Sequence, residues 1–149
     1  MIEAGAPAPD FALVDHDGNQ VSLADYRGRR VLLAFYPGDF SPVCTDQLST
    51  YEDSLGEFER RDVSVLGISV DSAFCHRAFR KHLGVSIPLL ADFHPKGEVA
   101  RAYGVWSEDW GQSGRALVLV GPDGVVEWAY ESPPLEVPEP ARVLAALDN

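Results

Sequence analysis

Cys44 closes the run Phe35-Tyr36-Pro37-Gly38-Asp39-Phe40-Ser41-Pro42-Val43-Cys44, in which an apolar strand gives way to a Pro/Gly turn and the thiol then opens a helix. A sulfur at a helix start faces backbone N–H groups with no partner inside the helix, and the positive end of the helix dipole. Both favour its thiolate, the nucleophilic form. Ser41 stands three residues before Cys44 and Pro37 seven before it, completing a Pro-x-x-x-Ser-x-x-Cys pattern. The placement is that of a reactive cysteine able to attack an electrophile, not of one buried for packing.

The pattern resembles the active-site signature of the peroxiredoxins, Pro-x-x-x-(Thr/Ser)-x-x-Cys. The resemblance extends through Gly5-x-Pro7-Ala8-Pro9-Asp10-Phe11, Gly67-Ile68-Ser69-Val70-Asp71-Ser72, Pro88-Leu89-Leu90-Ala91-Asp92, Tyr103-Gly104-Val105 and an Arg115 opening a late apolar strand. Among the subgroups, the PrxQ (bacterioferritin comigratory protein) and AhpE-like proteins are the most similar. It implies a thiol-dependent peroxidase, acting on hydrogen peroxide and organic hydroperoxides with no bound cofactor or metal. Cys44 would be the nucleophile, and Ser41 and the helix N–H groups donors to the departing oxygen. Pro37 would shield the sulfur and Arg115 would be the cationic partner. Ser41 keeps the hydroxyl of the more frequent Thr without its methyl group. Gln47 occupies a position that is often Glu in relatives, so it can bond an arginine but offers it no charge.

Cys75 is read two ways. Attack on a peroxide leaves a sulfenic acid, which a second thiol condenses into a disulfide. In some PrxQ-like proteins that thiol lies in the helix corresponding to Cys75, and Ser49 fills the other common position, five residues after Cys44. Expecting the two helices on opposite faces of the sheet, we expect the first turn around Cys44 to unwind before sulfurs can meet. The other reading is a one-cysteine peroxidase resolved by an outside thiol. The implied reductant is thioredoxin-, glutaredoxin- or mycoredoxin-like, and family members occur as monomers and as homodimers. Rival functions are a thiol–disulfide oxidoreductase, which usually needs Cys-x-x-Cys where this chain has Cys44-Thr45-Asp46-Gln47, and a redox sensor.

Two cysteines in 149 residues do not make a disulfide scaffold. The residues Cys75, His76, His82 and His94 show no zinc-site spacing, and the histidines read as surface or loop residues. A net charge of −11 argues against nucleic acid and anionic membranes as partners. Met1 to Gly5 has neither a basic start nor an apolar stretch, so a cytoplasmic location is expected. Trp106, Trp110 and Phe40 either line an apolar rim for organic hydroperoxides or pack against the core.

The elements that must position these groups follow from periodicity. Val31–Tyr36 and Val63–Val70 are near-continuous apolar runs, as in buried parallel strands. Between them Leu48, Tyr51, Leu55 and Phe58 recur at helical spacing from Cys44 to about Arg60. Phe11–Val14 and Val21–Leu23 flank an Asp-Gly turn, giving an N-terminal hairpin. Asp71-Ser72 caps a helix to about Leu83, another spans about Pro95 to Tyr103, and a loop runs from Gly104 to Gly114. Ala116–Val120 and Val125–Tyr130 form a second hairpin, and Pro140–Leu147 a closing helix. This order predicts one α/β domain over residues 1–149. Its form is a thioredoxin-like sandwich, a central mixed β-sheet flanked by helices, with the site beyond the carboxyl ends of the parallel strands.

Overall fold

Alternation along the central strand sets the layers. In β3 (Arg30–Phe35), Val31, Leu33 and Phe35 point into one apolar cluster, and Leu32 and Ala34 into another on the opposite face. Burial on both faces explains why the strand reads as a continuous apolar run. The computed structural model describes residues 1–149. Its first strands, β1 (Ala12–Asp15) and β2 (Gln20–Ser22), pair as the expected hairpin. After β3 come α1 (Pro42–Asp53), α2 (Leu55–Arg60) and β4 (Val63–Ser69), then α3 (Ala73–Leu83) and β5 (Leu89–Ala91). Following α4 (Glu98–Ala102), a small hairpin of β6 (Trp106–Ser107) and β7 (Gln112–Ser113) leads to β8 (Arg115–Val120). The chain ends with β9 (Val126–Ser132) and α5 (Pro140–Leu147).

Seven strands form one mixed sheet in the order β2-β1-β5-β4-β3-β8-β9. β3, β4 and β5 are parallel neighbours, and β8 is antiparallel to β3. This is the thioredoxin-like α/β arrangement predicted from the order of elements.

The expectation that α1 and α3 lie on opposite faces is overturned. Leu48 and Tyr51 of α1, Phe58 of α2, Phe79 of α3 and Val143 of α5 all join the cluster containing Leu32 and Ala34. Val99 and Ala100 of α4 cover the other face, with Tyr103 just beyond it. The cause is strand order. The steps β3 to β4 and β4 to β5 run the same way across the sheet, so two right-handed crossovers leave both helices on one side.

Three boundaries also differ. The helix of Cys44 starts two residues early, at Pro42, and breaks at Ser54, whose N–H bonds back to Tyr51 and Glu52 instead of continuing the regular ladder. α4 starts at Glu98 because Gly97 takes a left-handed φ of 74°, and the Asp92 carboxylate accepts from the N–H groups of Val99 and Ala100. The 104–114 loop contains the β6–β7 hairpin. No helix is long and apolar enough to cross a membrane.

Candidate active site

The segment between β3 and α1 carries Pro37, Ser41 and Cys44 past the carboxyl end of β3. Cys44 is the third residue of α1 and wholly buried. Ser41 is the N-cap, but its hydroxyl donates to the Gly38 carbonyl at 3.0 Å and makes no capping bond. It therefore stabilises the turn and leaves the first N–H groups of α1 uncapped by a side chain, free to face an anion. Pro37 is half-buried in the same turn. Between them Phe40 holds a left-handed φ of 67°, a strained conformation for a bulky residue.

Arg115, first residue of β8, reaches this sulfur from the neighbouring strand. The antiparallel register aligns Phe35 with Ala116, which sets Arg115 beyond the carboxyl end of β3. Its Nη2 donates to Cys44 Sγ at 3.2 Å, its Nη1 to Gln47 Oε1 at 2.6 Å, and its Nε to the Pro134 carbonyl at 3.1 Å. The side chain is only 2% exposed, and no ion pair of the molecule includes it. A guanidinium keeps its charge in proteins, and an unpaired buried charge is costly. The Cys44 sulfur is the nucleophilic group within its reach. Gln47, one turn after Cys44, orients the fork through its oxygen without neutralising it. Its Nε2 is buried with no hydrogen-bond partner. Two of the five guanidinium N–H donors also remain free for an incoming oxygen.

Cys75 occupies the third position of α3, just as Cys44 does in α1. Its N–H donates to the Ser72 cap at 3.2 Å, and its thiol faces Asp71 Oδ1 at 3.8 Å. Both cysteines are free, and no bond joins them. Burial pushes the Cys75 thiol up to about 12, with the Asp39 and Asp71 carboxylates adding to the effect.

Asp39 belongs to the Cys44 loop, and sequence reading missed it. Its side chain is fully buried. The Tyr36 hydroxyl donates to Oδ1 at 2.6 Å, His76 Nδ1 lies 2.7 Å from Oδ2, and the Asp39 N–H donates to Asp71 Oδ2 at 2.8 Å. His76, read from sequence as a surface or loop residue, is instead completely buried. Its Nε2 meets the Leu90 carbonyl at 3.0 Å, so both ring nitrogens face acceptors. The ligating atoms of Asp39, Asp71 and Cys75 lie within 4.8 Å of one another. Their carboxylates are already engaged with Tyr36, Ser69, His76 and the Asp39 N–H, which spends much of any capacity to ligate a cation.

The aromatic rim is not assembled as envisaged. Trp106 packs against the core cluster on the face opposite Cys44, with Arg101 over its ring at 4.4 Å. Trp110 is exposed. Phe40 is half-exposed and leans on Phe79, with ring centroids 4.9 Å apart. His82 and His94 are exposed.

Comparison with known proteins gives consistent results. A profile described as the AhpC/TSA family matches residues 4–129. Alkyl hydroperoxide reductase E of Mycobacterium tuberculosis is 40% identical over 138 residues, covering 92% of this chain and 90% of that protein. A peroxiredoxin of Schizosaccharomyces pombe is 41% identical over 135 residues, covering 84% of this chain and 69% of its own length. The reduced 2-Cys peroxiredoxin of Plasmodium vivax superposes with a TM-score of 0.89 at 30% identity, over 99% of this chain and 81% of that one.

Proposed function

The chain belongs to the AhpC/TSA family and is a peroxiredoxin-type peroxidase, and from that premise we propose that Cys44 is its peroxidatic thiol, reducing hydrogen peroxide and organic hydroperoxides. The observation that carries the assignment is the 3.2 Å bond from a buried, otherwise unpaired Arg115 to the Cys44 sulfur. In this reading the Cys44 thiolate attacks one peroxide oxygen along the O–O axis. The S–O bond forms as the O–O bond breaks, and the departing oxygen leaves with the electron pair as hydroxide or alkoxide. Cys44 becomes a sulfenic acid, and the leaving oxygen takes up a proton. Free N–H groups of Arg115 and of the first turn of α1 stabilise that developing charge. Pro37 and Ser41 hold the turn that seats the sulfur.

We assign the second half-reaction to Cys75. Its thiolate attacks the sulfenic sulfur, the S–S bond replaces the S–O bond, and hydroxide leaves to become water. With α1 and α3 on one face, the sheet does not stand between the two helices, and fraying of their first turns would let the sulfurs approach. A thioredoxin-, glutaredoxin- or mycoredoxin-like dithiol would then restore both cysteines, in a cytoplasmic compartment, with residues 1–149 acting as one domain. One observation favours an outside thiol instead. Cys75 is held protonated by burial and two carboxylates, and a protonated thiol does not attack.

Peroxide consumption with a thioredoxin-like reductant is the test. Cys44→Ser should abolish turnover, whereas Cys75→Ser should leave the first oxidation intact and slow recycling by the dithiol. Full activity of Cys44→Ser would refute the assignment. Oxidation without recycling would identify a redox sensor.

A further inference from the structure

The loop that presents Cys44 ends in the same acidic cluster that surrounds Cys75. Asp39 lies two residues after Pro37 and five before Cys44. Three contacts fix it, from Tyr36 Oη, from His76 Nδ1 on α3, and from its own N–H to Asp71. The next residue, Phe40, is in the strained left-handed region, so the turn needs an external hold. Asp39 supplies it, tying the Cys44 loop to the start of α3. Its carboxylate also lies with Asp71 within 4.8 Å of the Cys75 sulfur, where a second negative charge disfavours a thiolate.

We propose that Asp39 is a latch shared by the two cysteines. While Tyr36 and His76 hold it, Asp39 fixes the turn that presents Cys44 and keeps Cys75 a thiol, and Cys75 becomes a nucleophile only when the loop lets go. The proposal rests on the reading of Cys44 as the peroxidatic thiol and deepens it. Fraying of the α1 turn withdraws Asp39 and so removes one carboxylate from Cys75 as Cys44 is freed to meet it. The resolving thiol would then be silent in the resting enzyme, where it can neither compete for peroxide nor form mixed disulfides. The titratable groups facing Cys75 are Asp39 from the Cys44 loop and Asp71 from the segment between β4 and α3, with His76 on its own helix engaged by Asp39.

Asp39→Asn separates geometry from charge. An asparagine accepts from Tyr36 through its oxygen and donates to a neutral His76 through its nitrogen, keeping the clamp while removing the charge. The first measurement is the alkylation rate of Cys75 by iodoacetamide at pH 8, in a Cys44→Ser background. The second is the rate of Cys44 oxidation by hydrogen peroxide, in a Cys75→Ser background. Asp39→Asn should speed Cys75 alkylation by roughly fivefold or more, since one unit of thiol acidity is worth about tenfold in thiolate, and should keep Cys44 oxidation within about threefold. Asp39→Ala, which cuts the clamp, should also slow Cys44 oxidation by roughly tenfold or more. His76→Asn cuts the clamp from α3 and replaces that variant if it fails to fold. An unchanged Cys75 rate in Asp39→Asn, or an unchanged Cys44 rate when the clamp is cut, overturns the proposal. Neither assay depends on Cys75 being the resolving thiol. If Cys75 does not resolve Cys44, that shows separately, as peroxide-treated wild type lacking a disulfide.

Discussion

At the scale of single residues, the arrangement turns on where charge is left unbalanced. Arg115 is buried, has no carboxylate partner, and donates to Cys44. A lysine would keep the charge but lose the fork that serves Gln47 and the sulfur together. Losing one charge-assisted bond costs about 1.5–3 kcal/mol, so Arg115→Lys should slow Cys44 oxidation by roughly 10- to 150-fold in stopped-flow mixing with peroxide. Gln47→Glu tests the same balance from the other side. A carboxylate at Gln47 would share the guanidinium with the sulfur, so iodoacetamide should react more slowly with Cys44, whereas an unchanged rate would show the charge balance to be unimportant. That Cys44, Pro37, Ser41 and Arg115 come together was legible in the sequence, because a local motif and a strand register place them. Asp39 and His76 were not. A histidine on an amphipathic helix looks the same whether its partner is water or a buried carboxylate on another loop.

Among the elements, strand order governs which helices can cooperate. The strands were legible because burial on both faces leaves an uninterrupted apolar run, as in β3 and β8. The side taken by each helix was not, because it depends on the direction of successive crossovers. The break at Ser54 was also hidden, since Leu55 and Phe58 keep the helical spacing across it. Phe79 links α3 to the site, being fully buried while supporting the Phe40 ring. Phe79→Ala should cost about 3–5 kcal/mol by chemical denaturation and should expose the Cys44 loop to proteolysis. Gly67 in β4 marks another close approach. A Cβ there would lie 2.7 Å from a Leu89 methyl and 3.2 Å from the Tyr36 ring. Gly67→Ala should therefore destabilise by about 1–3 kcal/mol, and near-neutral stability would mean that both side chains repack freely.

For the whole molecule, the Cys75 environment predicts a pH dependence of stability. Its folded value, about 12, lies above the ordinary thiol value of 9.0. The unfolded chain therefore releases this proton first as pH rises. The contribution is fully present below pH 9.0 and is lost as pH climbs toward about 12. Between pH 8 and about pH 10.5, thermal midpoints of wild type should fall further than those of Cys75→Ser. Equal falls would contradict the environment described for Cys75.

The most direct test of the peroxidatic role of Cys44 is the intact mass of the reduced protein after one equivalent of hydrogen peroxide, alongside Cys44→Ser and Cys75→Ser. The predicted result is a wild type lighter by two hydrogens, a Cys75→Ser variant heavier by one oxygen, and a Cys44→Ser variant unchanged. Oxygen gained by wild type at Cys44 would keep the peroxidase and transfer resolution to an outside thiol. Oxidation persisting in Cys44→Ser, or absent from Cys75→Ser, would contradict the central claim.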